Sequence, residues 1–139
     1  VIPLRIWPVA LLAVALVSCS KSPEKPATYP VNGRVLYEGN PAAGAVVILH
    51  TIGGAATGER PRAKTDGNGE FTLTTFKNGD GAPAGQYGVT VEWKQTDDHP
   101  EQGVDLLPAA YSDPETSKLT ATISAGSNEP LVLKLSRQP

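Results

Sequence analysis

The sequence predicts an all-β fold, a seven-stranded antiparallel sandwich that follows a short N-terminal export segment. Three observations carry this prediction. The chain of 139 residues holds 14 Gly and 13 Pro, a composition suited to tight turns between short strands. Its Val, Leu, Thr and Tyr runs alternate apolar with polar at a period of two, and no long amphipathic helical pattern interrupts them. Once the leading segment is set aside, the remaining length suits one domain with one core.

The leading segment comes first in chain order. Residues 6–17 form a run of 12 apolar residues, preceded by the positive charge of Arg5 and followed by the small residues Ser18 and Cys19. The run is too short to cross a bilayer, which takes about twenty apolar residues. Its layout, a charged start, an apolar middle and small residues at the exit, is that of an export signal. The chain has no Met, so Val1 is read as a start codon rendered as Val. The tetrapeptide LVSC, residues 16–19, resembles the lipobox of bacterial lipoproteins. That resemblance implies cleavage between Ser18 and Cys19, diacylglycerol on the Cys19 sulfur, and acylation of the new amino group. Burying acyl chains contributes about 0.8 kcal/mol per methylene, so two or three chains anchor stably without spanning. In the same family Asp just after the cysteine favours retention at the inner membrane; Ser20 stands there instead, which favours the outer membrane. The alternative is an ordinary signal peptide or an uncleaved N-terminal helix with an incidental cysteine.

Residues 20–28, SKSPEKPAT, contain two prolines, three charges and no large apolar group. They read as an extended tether reaching on the order of 25 Å at about 3 Å per residue. From Tyr29 onward the pattern becomes strand and turn. Val31, Gly33, Val35 and Tyr37 alternate in a first strand, which Glu38, Gly39, Asn40 and Pro41 close. The apolar run 45–49 reads as a central strand. A glycine-rich loop, 53–58, precedes 61–65, an edge strand because Pro61 has no N–H for a ladder and Arg62 and Lys64 face water. Asp66, Gly67, Asn68 and Gly69 form a hairpin turn, and 70–75 returns with Phe71 and Leu73 inward. A second turn region, 78–85, leads to Tyr87, Val89, Val91 and Trp93, the clearest alternation in the chain. Residues 94–118 lose the alternation and read as a long excursion that packs Leu106, Leu107 and Tyr111 on the domain. Leu119, Ala121 and Ile123 form a sixth strand, Gly126, Ser127 and Asn128 turn, and Leu131, Leu133 and Leu135 form a seventh.

Three blocks carry a further resemblance. VNGRVLYEGNPAAGAVVIL, residues 31–49, has a V-x-G-x-V strand, a G-x-P turn and a G-A-x-V strand. AKTDGNGEFTL, residues 63–73, has a T-D-x-x-G-x-F turn, and PAGQYGVTV, residues 83–91, a P-x-G-x-Y-x-V-x-V strand. In this order they resemble the carboxypeptidase regulatory-like domain, a transthyretin- or prealbumin-like Greek-key sandwich. With the later segment 107–135, the chain is similar to small bacterial lipoproteins of unassigned function. The resemblance implies the division 1–18 signal peptide, 19–28 lipidated tether, 29–136 sandwich and 137–139 tail. These motifs describe turns and core positions, so they imply a fold and not a reaction. Gly33 and Gly69 allow shapes or approaches that a Cβ hinders, and Asp66 is placed to accept backbone amides two residues on.

Candidate chemistry is sparse. The chain carries a net charge of −2, which becomes one unit more negative when Arg5 is removed, and it has no basic stripe; nucleic acid is disfavoured as a partner. Cys19 is the only cysteine, so the domain is expected to stand without disulfides. The turn 66–70 has the alternating oxygens of a calcium loop, but Phe71 and Lys77 stand where that loop needs Gly and a bidentate acid; a hairpin is the simpler reading. Asp97, Asp98, His99 and Glu101 gather metal-ligand types in one polar loop, yet the only other histidine, His50, is distant in sequence. A solvated loop is therefore expected, with His50 a strand-end residue. Two enzymes of this architecture lack support: intradiol dioxygenases need a close His pair, and hydroxyisourate hydrolases end in Tyr-Arg-Gly-Ser. No phosphate loop, Gly-x-Ser-x-Gly elbow or nucleophile–base–orienter set is present. The sequence thus predicts a non-enzymatic, cofactor-free lipoprotein of the cell envelope, held to the membrane through Cys19 and serving as a structural or protein-interaction module. A carbohydrate- or small-ligand-binding module, with Trp93 stacking on a sugar ring, is the alternative; a metal enzyme using residues 97–101 is the third.

Overall fold

A computed structural model describes residues 2–3, 18–19, 24–53, 58–94 and 103–139. Ten strands appear among them: β1 (Thr28–Tyr29), β2 (Asn32–Tyr37), β3 (Asn40–Pro41), β4 (Val46–Thr51), β5 (Arg62–Lys64), β6 (Glu70–Thr72), β7 (Ala82–Pro83), β8 (Gly85–Glu92), β9 (Leu119–Ile123) and β10 (Leu131–Leu135). The fold is all-β with several antiparallel sheets. Each of the seven expected strands coincides with an observed one. The count is nevertheless corrected from seven to ten, because β1, β3 and β7 are two-residue pairings too short to show a period.

One sheet runs β5-β4-β8-β9 and is antiparallel throughout. The second is built on β2, with β10 along one edge and β6 and β3 sharing the other. β1 and β7 make a separate two-stranded ladder. Alternation places the inward residues: Val35, Phe71 and Leu133 from the second sheet and Val47, Leu49, Val89 and Val91 from the first lie in one buried cluster. Fully burying each such side chain contributes about 1.5–3 kcal/mol.

A second correction concerns direction. β10 pairs with β2 in parallel, Leu131 beside Gly33 through Leu135 beside Tyr37, where an antiparallel ladder was expected. The turn after β9 is the reason. Asn128 closes it by accepting from the Ser124 N–H at 2.8 Å and donating to the Ser124 carbonyl at 3.0 Å, and the chain crosses to the other sheet instead of folding back on β9. The hairpin turn at Asp66 likewise joins sheets, since β5 belongs to the first and β6 to the second. β5 does lie at a sheet edge, as its proline and charges imply, but Arg62 also bridges to Thr74, which stitches the two sheets along that side.

The excursion after β8 contributes a single 3-10 turn, Ala109–Ser112. Leu107 and Tyr111 are buried, and the Tyr111 hydroxyl accepts the Ser136 N–H at 2.9 Å just beyond β10. Leu106 does not pack as expected; it is 42% exposed. Asp105 decides this, because its Oδ1 accepts the N–H groups of both Trp93 and Leu107 at 3.0 Å, turning Leu107 inward and its neighbour outward.

Candidate functional site

The domain has two ends, set by the shared direction of β2 and β8. Both strands start beside the tether, where Thr28 pairs with Pro83 and Tyr29 with Ala82. Both finish beside Trp93, whose ring lies edge-on to Tyr37 with centroids 5.8 Å apart.

At the tether end Ser18 and Cys19 are exposed; the apolar run before them and Ser20 lie outside the described residues. Residues 24–27 are exposed and without regular structure, residues 20–23 lie outside the described residues, and Thr28 belongs to β1. Lys25 sits with its ammonium 5.1 Å from the centroid of the Phe76 ring, a cation–π approach. The loop that carries Phe76 is held by Asp80, whose carboxylate accepts the N–H groups of Thr75 at 2.7 Å and of Phe76 and Lys77 at 3.0 Å. Thr75 adds a hydroxyl bond to the Gly81 carbonyl at 2.7 Å. Sequence reasoning marked only a turn region here; the clue it missed was an Asp two residues past Asn78, placed to collect free amides.

Burial pushes the Asp80 carboxyl up, but the Thr75, Lys77 and Phe76 amides and its own N–H more than offset this, and its pKa lies below the ordinary 3.8. A depressed carboxyl stabilises the fold fully above that value and loses its contribution as pH falls through the lower, folded-state value. Asp80→Asn is therefore expected to lower the urea midpoint at pH 7 by an amount corresponding to about 1–3 kcal/mol, with the gap to the parent closing below about pH 3.8. An equal gap at pH 7 and at pH 3 contradicts this.

At the opposite end Trp93 falls just past β8 and is half-buried. Its indole N–H donates to the Ala43 carbonyl at 2.7 Å, and Lys94 bridges to Asp105 beneath it. The cluster at Asp97, Asp98, His99 and Glu101 lies outside the described residues. Among the described residues, no group of three or more His, Cys, Asp or Glu is arranged to hold a metal ion. The Asp66 oxygens are committed to the turn itself, Oδ1 accepting the N–H groups of Asn68 at 2.9 Å and Glu70 at 3.0 Å.

His50 lies near the end of β4, on the sheet face away from the core. Its Nε2 is 2.8 Å from the Thr90 Oγ1. Burial lowers its pKa below 6.5, Arg60 lowers it further, and Asp113 only partly opposes them, so the ring is neutral at pH 7. Thr90 is buried and His50 half-buried. A shallow groove of about 580 Å³ crosses the outer face of β2, β6 and β10. The exposed Arg34–Glu70 ion pair at 3.0 Å occupies its floor, and a pair open to solvent binds weakly.

Fold and geometry together define an all-β domain, sandwich-like in its shared core, with an exposed thiol upstream of its first strand. Comparison with known proteins adds no family: no family model, curated protein or solved structure matches the chain.

Proposed function

We propose that this chain is an exported lipoprotein, anchored through acyl chains on Cys19, whose domain is a non-catalytic structural or protein-interaction module of the cell envelope. The observation that carries the reading is the position of Cys19. It is the sole thiol, it follows an apolar run too short to span, and only residues 20–27 separate it from β1. No helix among the described residues is long and apolar enough to cross a membrane. Ser20 in place of Asp favours the outer membrane.

The finer fold belongs to the same proposal: a Greek-key sandwich of the carboxypeptidase regulatory-like kind. In support, the T-D-x-x-G-x-F block falls on the Asp66 turn between β5 and β6, and the P-x-G-x-Y-x-V-x-V block on β7 and β8. A glycan partner in place of a protein rests on the part of Trp93 left open by its hydrogen bond to Ala43 and its ring contact with Tyr37. Loss of signal on a glycan array in Trp93→Ala supports it, and absence of any signal from the parent removes it.

Cys19→Ala tests the anchor. The parent is expected to take up labelled palmitate and to collect in the detergent-rich phase of a Triton X-114 separation, and the variant to take up no label, with the precursor uncut at Ser18. Equal labelling of the two overturns the anchor.

A further inference from the structure

The tether does not leave the domain as a free swivel. Thr28 and Tyr29 are laddered to β7, and the Tyr29 backbone lies against Gly81, where the space leaves no room for a Cβ. Three residues earlier Lys25 rests over Phe76, in a loop that Asp80 holds by three amides. The chain is thus part of the domain from Thr28 onward, and Lys25 makes one further contact with it. The stretch from Cys19 to Lys25 can span at most about 20 Å. The opposite end of the domain, where Tyr37 meets Trp93, lies beyond the 8 residues of β8, a rise of about 25 Å.

Resting on the lipid-anchor reading, we infer that the docked tether orients the domain on the membrane. The Phe76–Lys77 loop faces the lipid surface, and the Tyr37–Trp93 end, with the base of the excursion at Lys94 and Asp105, faces away. Attachment at β1 keeps the near end within reach of the anchor, whereas the Trp93 end lies about 25 Å farther along the domain, so the near end is the one that meets the bilayer more often. Lys25 and Lys77 are both exposed at the near end, but Glu24 and the Asp80 carboxylate oppose them there, so the attachment point and not headgroup charge carries the orientation. The surface left for a partner is then the far end, including the open part of Trp93.

The chain carries a built-in probe. It has 2 Trp, and cleavage after Ser18 removes Trp7, leaving Trp93. The lipidated full-length protein is reconstituted in phosphatidylethanolamine–phosphatidylglycerol vesicles bearing a dansyl headgroup acceptor. Energy transfer from Trp93 is compared with that from a Phe76→Trp, Trp93→Phe protein. Transfer from position 76 is expected to exceed that from Trp93 by about twofold or more, given the separation of the two ends. Lys25→Ala is expected to narrow the ratio. The parent supplies a measurement that needs no variant: acrylamide quenching of Trp93 is expected to be the same on vesicles as in detergent. Equal transfer from the two positions, or protection of Trp93 on vesicles, overturns the orientation while leaving the anchor standing. Failure of the parent to float with the vesicles overturns both.

Discussion

Gly33→Ala is expected to destabilise the domain by about 3 kcal/mol or more, lowering the thermal midpoint by roughly 10 °C or more. A Cβ at position 33 runs into the Phe71 ring and comes within 2.6 Å of the Leu131 carbonyl oxygen. The ring cannot swing clear, because Phe71 is only 4% exposed and is packed in the core. The carbonyl cannot retreat without opening the β2–β10 ladder, whose first pair is Leu131 with Gly33. The reason is space alone, not a left-handed backbone. Phe71→Leu added to Gly33→Ala is expected to restore part of the loss by removing the obstructing ring atoms. A single variant melting within about 2 °C of the parent refutes the steric account.

Thr65→Val is the second large effect. Thr65 is 5% exposed, and its hydroxyl bonds two backbone groups at once, accepting from the Ala45 N–H at 2.8 Å and donating to the Ala42 carbonyl. Its own backbone adds bonds to the Ala45 carbonyl at 2.8 Å and from the Gly44 N–H at 3.1 Å. Valine matches the shape and removes the hydroxyl, so a buried donor and a buried acceptor lose their partner. Each unpaired group costs about 1–3 kcal/mol, and the expected total is about 2–4 kcal/mol. Thr65→Ser keeps both bonds and is expected to lose only about 1 kcal/mol with the methyl. Urea midpoints with unchanged slope read the difference; a Val variant as stable as the Ser variant disproves the role.

These two residues show how far the sequence reached. Gly33 and Thr65 both lie in the motif blocks, and Gly33 was legible as a close approach and Asp66 as the cap of its turn. Asp66 does accept the amides of Asn68 and Glu70. Thr65 carried no such signal, because a Thr before a turn looks solvent-facing until Ala42 and Ala45, far back in the chain, are folded onto it. Asp80 and Asp105 were missed in milder form: an Asp in a turn region hints that it collects amides, but which amides it gathers is decided only once the loop around it has closed. Of the candidate site, Cys19 and Trp93 were legible as residues. That Trp93 gives its N–H to Ala43, and that Lys25 lies over Phe76, depends on pairs 50 or more positions apart.

The sequence by itself determined the all-β class, the position of each longer strand, the buried face of those strands and the lone thiol ahead of the domain. Period-two alternation and turn chemistry are local, so they are written along the chain. Only the tertiary structure decided which strands pair, that β10 runs parallel to β2, that the Asp66 and Asn128 turns pass between sheets, and that the tether is laddered to β7. A strand's own residues specify which of its faces is buried, but its neighbour and direction are set by how two sheets close over one core.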